Sequence, residues 1–426
     1  MRTLPSEPTG ALPHAPLSVR PQRAPLLSWP FALLLGVQLS YGFVFSTFLL
    51  LPKYLAAEHH AKPATIGQLA AVSLLASVLS APPVGWAIGR MNRGVLIVVG
   101  ALLGGSASVA FASLEAVGPA MFLLRVLQGI AFVLVFNSSG TLAADNAPSE
   151  RLGQTLGLWG LAMLVTNAIA PGLLEPLAAQ YGWVPVFASA GLFGLVAAGL
   201  GTVLAVRERA RPGTRSSTTS VVEPRRSVVF LVVVLLGAGL GTAFTFIPPF
   251  ALERGIDQVR PFFIGYTIAA VAARMLLGGL GDRWGHVRIA VVCVALYALA
   301  LGLGAALSPR ILAIVGAGIG LAHGLAYPGL NAVALENAAP NQRGTVMAYY
   351  NAAFNVGFAA STAVLGPLAG VLGYSAVFAV VAICVGLGVP LLLRLPERRL
   401  HGLQVEAKPC HEPNQIAPRR SPPAAS

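Results

Sequence analysis

The spacing of charged residues constrains this chain more than any other feature, because long apolar stretches without Asp, Glu, Lys or Arg follow one another through most of it. Only 10% of its residues are charged and 56% are hydrophobic, whereas about 25% of the residues of a soluble domain are charged. A helix crosses a hydrocarbon core about 30 Å thick with about 20 mostly apolar residues. We therefore expect the lipid bilayer to be the solvent of this chain.

Twelve membrane-spanning helices are predicted from these stretches. Two of them, 116–144 and 261–281, contain a single arginine each. The run 344–393 has 50 residues and a glycine-rich break at Gly370–Gly373, so it is predicted to hold two helices. The other eight are 24–52, 63–89, 94–114, 152–174, 176–206, 227–252, 289–309 and 311–335. The runs are too long for barrel strands and lack their alternation, which predicts an all-α membrane protein.

The distribution of positive charge predicts the orientation in the membrane. If both termini are cytoplasmic, the cytoplasmic segments hold 21 of the 28 Lys and Arg residues, and Arg125 and Arg274 lie inside spans. The external loops then hold only five: Lys53, Lys62, Arg254, Arg260 and Arg310. Cytoplasmic loops are the ones enriched in Lys and Arg. This explains the net charge of +13 without a nucleic-acid partner. The scarcity of lysine, together with abundant Ala and Gly, favours a bacterial source and hence an inner membrane.

The polar, basic segment 207–226 divides the chain into two halves of six predicted helices each. It is predicted to be a flexible cytoplasmic linker between a bundle at 28–206 and a second bundle at 227–395. The polar ends, 1–27 and 396–426, are predicted to be disordered and cytoplasmic.

The two halves repeat each other in sequence. Matching pairs at offsets of 191 to 193 residues are Gly129-Ile-Ala131 with Gly320-Leu-Ala322, Asp145-Asn146-Ala147 with Glu336-Asn337-Ala338, Pro148 and Arg151 with Pro340 and Arg343, and Gly85 and Arg90 with Gly278 and Arg283. Two pseudo-symmetric bundles that rock around a site near the midplane are a known plan of transporters. A monomer with this arrangement is predicted.

The loop after the eighth span reads Gly278-Gly-Leu-Gly-Asp282-Arg283-Trp-Gly285-His286-Val-Arg288. It resembles the signature Gly-x-x-x-Asp-Arg-x-Gly-Arg-x-Arg of the major facilitator superfamily of secondary transporters. The first-half copy, Gly85-Trp-Ala-Ile-Gly89-Arg90-Met-Asn-Arg93, has Gly89 in place of the acid. The resemblance implies twelve helices in two bundles, with the family's acid holding the halves together on the cytoplasmic side.

A cytoplasmic gate is predicted from these loops and from the acids that end the fourth and tenth spans. An anion at a helix N-terminus is stabilised by about 0.3–1 kcal/mol, so Asp282 is expected to dock at one, with the eleventh span starting after Arg343. Ordinary interfacial charges are the alternative interpretation. The predicted gate residues are Arg90, Arg93, Asp145, Asp282, Arg283, Arg288, Glu336 and Arg343.

Two residues are candidates for proton coupling. Arg125, in Leu124-Arg125-Val-Leu-Gln128-Gly129, resembles the family motif Arg-x-x-Gln-Gly, which is linked to proton coupling or to helix contacts. An arginine inside a span costs about 2.5–3.5 kcal/mol and is rarely idle. His323 lies mid-span, and imidazole carries a proton near neutral pH. A snorkelling arginine and a neutral histidine bonded to a carbonyl are the alternatives. Arg274 is expected to bond carbonyls or polar groups near the cytoplasmic side.

Polar and aromatic residues within the spans are candidates for the wall of a substrate cavity. His323, Tyr327 and Asn331 share one helical face, as do Gln38, Tyr41 and Phe45. In the family, the first, fourth, seventh and tenth helices line the cavity. Any of these residues could instead hold helices together. The cavity candidates are Gln38, Tyr41, Phe45, Asn137, Thr245, Tyr327, Asn331, Asn351 and Asn355.

The combined features favour export of a small organic molecule, by proton antiport. In the fifth span, Ala170-Pro171-Gly172 partly matches the Gly-Pro-x-x-Gly-Gly pattern of drug/proton antiporters in the family. Arg125, His323, amides and aromatics suit an amphiphilic or weakly anionic solute, such as a drug-like compound, a secondary metabolite or a siderophore. A proton-coupled importer and a sensor or accessory protein that transports nothing are the alternatives.

An enzyme is not predicted, because zinc-protease and phosphate-binding motifs are absent. Neither a cofactor nor a metal is expected, since Glu58-His59-His60 is interpreted as a solvated loop. All fifteen acids are expected in loops, in tails or at helix ends.

Overall fold

The computed structural model describes residues 28–148, 151–208, 224–336, 338 and 342–395. The predicted disordered ends, 1–27 and 396–426, lie outside the described residues, as does most of the predicted linker.

The described residues of both halves form α-helices joined by loops and turns. The first half contains α1 (Trp29–Thr47), α2 (Leu51–Ala57), α3 (Pro63–Ile88), α4 (Arg93–Phe111), α5 (Pro119–Asp145), α6 (Leu152–Tyr181) and α7 (Trp183–Arg207). The second half contains α8 (Pro224–Glu253), α9 (Arg260–Leu277), α10 (Leu280–Trp284), α11 (His286–Gly304), α12 (Leu312–Leu335), α13 (Arg343–Gly386) and α14 (Gly388–Leu393). Eleven segments of the described chain are long and apolar enough to cross a membrane, which supports the all-α prediction.

Two glycines with positive φ separate helices at matching places in the two halves. Gly182 has φ 77° between α6 and α7, and Gly373 has φ 79° within α13. They are 191 residues apart, the offset found between Gly129 and Gly320. A side chain with a Cβ rarely adopts this conformation, so glycine is required there. The break predicted at Gly370–Gly373 is thus present at Gly373, inside a segment of 44 residues.

The same close helix contact occurs in both halves. A Cβ added to Gly129 of α5 would overlap the carbonyl oxygen of Ser73 in α3, and one added to Gly320 of α12 would overlap the carbonyl oxygen of Tyr266 in α9. Glycine lets two helix backbones approach closely within a membrane. The repeat in the sequence therefore corresponds to a repeated packing contact.

The two halves meet along α3 with α13 and along α6 with α9. Gly67 of α3 lies against the carbonyl of Thr362, and Gly366 of α13 lies against Pro63. Gly67 and Pro63 are in the first two turns of α3, so these contacts lie at the end of the molecule where α3 begins.

The structure corrects the prediction that all acids lie in loops, in tails or at helix ends. The fifth span was predicted to end at residue 174, but α6 continues to Tyr181. Glu175 therefore lies inside a helix, and its side chain is only 4% exposed.

Candidate functional site

Arg125 is fully engaged in contacts between α5 and α3. Its Nε donates to the carbonyl of Leu69 at 3.1 Å, and its terminal nitrogens donate to Gln128 Oε1 at 2.7 Å and to Ser73 Oγ at 2.6 Å. The guanidinium also lies 5.4 Å from the ring centroid of Phe48. These bonds offset the cost of burying the charge. The contacts are those of an arginine that holds two helices together, and its predicted part in proton coupling stays a prediction.

A connected polar cluster lies in the second half, where α9, α12 and α13 pack. Tyr266 Oη and His323 Nδ1 are 2.8 Å apart. Tyr327 donates to Asn351 Oδ1 at 2.6 Å, and Tyr350 donates to the carbonyl of Tyr327 at 2.6 Å. We call these five residues the α12 polar cluster. It joins three predicted candidates, His323, Tyr327 and Asn351, with two tyrosines that the sequence analysis did not select for this role.

Some polar atoms on α9 and α12, one of them in the cluster itself, are buried and have no partner among the described residues. They include Nε2 of His323, Oδ1 of Asn331 and Nε of Arg274. At Nε, the bond to a carbonyl that was expected of Arg274 is not found, because this buried atom has no partner among the described residues. Asn355, one turn beyond Asn351 on α13, is half-buried.

Two predicted candidates of the first half are buried inside it. Gln38 is 2% exposed and accepts a hydrogen bond from Ser139 at 3.3 Å. Tyr41 is 5% exposed, and its hydroxyl lies against Gly104 of α4. Both side chains therefore connect α1 to other helices of its own half, which is the alternative role that the sequence analysis left open.

Phe45, in contrast, belongs to an aromatic stack that runs across α1, α5 and α6. The ring centroids of Phe45 and Phe132 are 4.9 Å apart, those of Phe132 and Phe136 are 5.2 Å apart, and those of Phe136 and Trp159 are 4.6 Å apart. We call these four residues the α5 aromatic stack. Asn137 is half-buried beside it, and Thr245 of α8 is only 2% exposed.

The predicted cytoplasmic gate is only partly assembled from the residues that the structure describes. Arg93 of α4 pairs with Asp145 of α5. Glu208, which the sequence analysis missed, accepts from the backbone amides of Arg93 and Gly94 at 2.7 and 3.1 Å. It caps α4, since a carboxylate is favoured at a helix N-terminus. These contacts lie within one half, so they do not bridge the halves.

The other predicted gate residues have different surroundings. Arg90 lies over the ring of Trp86, with 4.4 Å from its guanidinium carbon to the ring centroid. Arg283 and Arg343 are exposed, and Arg343 is the first residue of α13. Arg288 and Glu336 each take part in an interaction. The side chain of Asp282 lies outside the described part of the chain, so its predicted docking stays a prediction.

The described structure does contain a charged contact between the halves, at the opposite end of α3. Glu175 of α6 accepts from the backbone amides of Val259 and Arg260, at 2.8 and 2.7 Å, where α9 begins. Lys53 of α2 bonds both the Glu175 carboxylate, at 2.5 Å, and the carbonyl of Asp257. We call Lys53, Glu175, Asp257, Val259 and Arg260 the α6–α9 latch. In the sequence, Glu175 is a lone acid between two apolar stretches, which is the one signal that could have drawn attention to it. Its partners could not be identified without the fold.

No group of three or more His, Cys, Asp or Glu side chains is placed to hold a metal ion within the described chain. The residues considered for this role have other contacts. His59 Nε2 is 2.9 Å from the Tyr54 hydroxyl, and Glu58 accepts from Trp183 Nε1 at 2.9 Å. They join the loop before α3 to the neighbouring helices.

Comparison with known proteins identifies the class to which this fold belongs. The family model "Major Facilitator Superfamily" matches residues 33–273 and 262–423. The chain belongs to the major facilitator superfamily of transporters, and the resemblance seen in its sequence is confirmed. It is therefore a multi-pass membrane protein whose relatives include bacterial transporters.

Individual relatives are more distant. The multidrug resistance protein MdtG of Citrobacter koseri is 27% identical over 342 residues, which cover 74% of this chain and 81% of that protein. MdtG of Yersinia enterocolitica is 26% identical over 402 residues, covering 87% and 92% of the two chains. An uncharacterised MFS-type transporter of Salmonella typhimurium is 27% identical over 63% of this chain and 70% of its own length.

Solved structures share the fold at low sequence identity. A mutant of the nucleoside transporter NupG is 13% identical and has a TM-score of 0.71 over 85% of this chain and 99% of its own. The POT family transporter PepTSo is 11% identical and has a TM-score of 0.72 over 86% and 98%. At such identities the likeness concerns the fold alone.

Proposed function

We propose that this chain exports a small organic molecule from the cytoplasm in exchange for protons. The observation that carries this proposal is its similarity to two multidrug resistance proteins along most of their length. The substrate is a drug-like compound, a secondary metabolite or a siderophore. Because the sequence has no phosphate-binding loop motif, a gradient rather than ATP would drive the transport.

The proposed protein is a monomer that crosses the bacterial inner membrane twelve times, with both termini in the cytoplasm. The excess of Lys and Arg on one side supports this orientation, and the break at Gly373 supports a twelfth crossing. The proposed domains are the bundles 28–206 and 227–395, joined by the linker 207–226 and flanked by the ends 1–27 and 396–426.

In this orientation, the α6–α9 latch lies on the external side, and the described structure represents a state closed towards the outside. Transport by alternating access would break the contacts of Glu175 and reform contacts at the other end. Glu175 is thereby a third candidate for proton coupling, beside Arg125 and His323. Protonation of its carboxylate would remove the charge that Lys53 and two backbone amides hold.

The test is efflux of fluorescent drugs from energised cells, with and without a protonophore. Wild type is compared with Arg125→Ala, His323→Ala and Glu175→Gln, and Arg310→Ala in an exposed loop serves as the control. We expect efflux that the protonophore abolishes and that at least one of the three variants lacks. If the cells show no efflux of any compound but depend on the gene for uptake of one nutrient, import replaces export. If the purified protein in liposomes carries no flux in either direction, transport itself is rejected.

A further inference from the structure

The two arginines inside the spans have opposite surroundings, and this difference concerns the substrate. Arg125 donates hydrogen bonds to three acceptors. Arg274 of α9 is half-buried, and its buried Nε has no hydrogen-bond partner among the described residues. A buried charged group without a partner is costly and rare in proteins. Of the two, Arg274 is the one with donors available for a ligand.

The part of α12 that carries His323 packs on α9 just before Arg274, since a Cβ added to Gly324 would lie 3.1 Å from the Cβ of Ala273. His323 is 7% exposed, its Nδ1 is bonded to Tyr266, and its Nε2 has no partner among the described residues. When Tyr266 donates to Nδ1, the proton of the neutral ring is on Nε2, which is then a donor without an acceptor. The guanidinium adds further donors. Donors and positive charge thus gather beside the α12 polar cluster, which is the arrangement that an acidic group requires.

The corresponding place in the first half is apolar. At the repeat offset of 191 residues, His323 matches Phe132 and Tyr327 matches Phe136. Phe132 and Phe136 belong to the α5 aromatic stack, which ends on Trp159. One half therefore presents aromatic rings where the other half presents a histidine and a tyrosine. This difference suits a molecule with an acidic group at one end and an aromatic or otherwise flat apolar body at the other.

From these observations we propose that the transported molecule is an aromatic organic anion, whose acidic group binds Arg274 and His323 Nε2 and whose body packs on the α5 aromatic stack. Guanidinium and carboxylate or sulfonate groups form paired, parallel hydrogen bonds that a neutral amide cannot replace. A cationic drug would be repelled by Arg274. The proposal rests on the proposed export function, because it assigns the substrate class of that pathway.

The test measures binding to the purified full-length protein, so it does not depend on transport. The probes are naphthalene-1-sulfonate, naphthalene-1-sulfonamide and 1-naphthylmethylamine, which share a ring system and differ in charge. Affinities are measured by calorimetry for wild type, Arg274→Gln and Arg274→Lys. Arg310→Gln is the matched control, since it removes a positive charge from an exposed loop. Monodispersity and protection of the buried thiol of Cys293 verify that each variant is folded.

We expect the sulfonate to bind wild type at least tenfold more tightly than the sulfonamide, and the amine to bind most weakly. Arg274→Gln should remove the preference for the sulfonate, Arg274→Lys should keep part of it, and Arg310→Gln should keep all of it. If the amine binds most tightly, if none of the probes binds wild type, or if folded Arg274→Gln retains the sulfonate preference, the proposal is overturned. Should Arg274→Gln not fold, the ranking of the three probes on wild type decides. The efflux assay remains a separate measure of the transport function.

Discussion

Glu175 shows how much a single buried acid contributes to the contact between the halves. Its carboxylate binds two backbone amides at the start of α9 and the ammonium group of Lys53. A hydrogen bond to a charged group is worth about 1.5–3 kcal/mol, and about 1.4 kcal/mol changes an equilibrium tenfold. The balance between the closed and open states of this end should therefore depend strongly on this residue.

We predict that Glu175→Gln shifts the protein at least about tenfold towards the state in which this end is open. Glutamine keeps one acceptor oxygen but loses the second acceptor and the charge. The measurement is the distance between spin labels at Glu115→Cys, in an exposed loop of the first half, and Glu253→Cys, the exposed last residue of α8 in the second half, with the native cysteines replaced by alanine. Lys62→Gln, which alters an exposed lysine of the same end, is the control. A distance distribution identical to that of the control would contradict the prediction.

Arg125 should matter for stability, since its three hydrogen bonds connect α5 to α3 and to Gln128. We predict that Arg125→Lys lowers the free energy of unfolding by about 1–3 kcal/mol, because a lysine cannot reproduce the planar set of donors. Thermal unfolding is followed by the reaction of a fluorogenic maleimide with Cys293, which is 4% exposed in the folded protein. Arg310→Lys is the control. An unchanged midpoint would show that these bonds contribute no net stability.

At the residue scale, candidate site residues could be predicted from the sequence, but the residues that they contact could not. His323, Tyr327 and Asn331 were selected as one helical face, and Asn351 was a separate candidate on another helix. The structure places His323, Tyr327 and Asn351 in one cluster. Arg125 and Arg274 carry the same charge, and the sequence around each of them is similarly apolar. The sequence therefore could not reveal which of the two has free donors. Their difference depends on Leu69 and Ser73 of α3, whose approach to α5 is a property of the packed fold.

At the scale of helices, glycines mark two kinds of contact that should respond differently to substitution. Gly129 packs α5 on α3 within one half, whereas Gly67 packs α3 on α13 of the other half. The first contact persists throughout transport if each half moves as a rigid body, and the second must separate when this end opens.

We therefore predict that Gly129→Ala destabilises the protein by about 1–3 kcal/mol, the usual cost of overpacking. Gly67→Ala should leave the midpoint of unfolding nearly unchanged and favour the open state in the spin-label measurement. Gly153→Ala, at a glycine with no neighbouring atom within 4 Å of an added Cβ, is the control. If Gly67→Ala lowers stability as much as Gly129→Ala, the α3–α13 contact does not separate as proposed.

For the whole molecule, the apolar runs predicted the helical fold well because membrane helices follow a simple rule of length and hydrophobicity. The limits of the helices were less predictable. A charged residue was taken as the end of the fifth span, yet α6 passes through Glu175 because the carboxylate is bonded to α9 of the other half. A partner so distant in the sequence leaves no local pattern, and the same holds for the capping of α4 by Glu208.

The number of crossings gives the last prediction. A helix of 44 residues would be about 66 Å long, at about 1.5 Å per residue, roughly twice the thickness of the hydrocarbon core. The positive φ of Gly373 divides this segment, so we expect residues before and after it to cross the membrane in opposite directions. Truncated fusions test this expectation. Alkaline phosphatase, which is active only outside the cytoplasm, is fused to chains that end at Gly373 or at Leu395. We expect the enzyme to be active in the first fusion and inactive in the second. Fusions at Lys62 and Asn92 give the reference activities for the outer and the inner side. Activity after Leu395 would mean an odd number of crossings and an external C-terminus, and the assignment of the α6–α9 latch to the external side would then have to be re-derived from the fusion data.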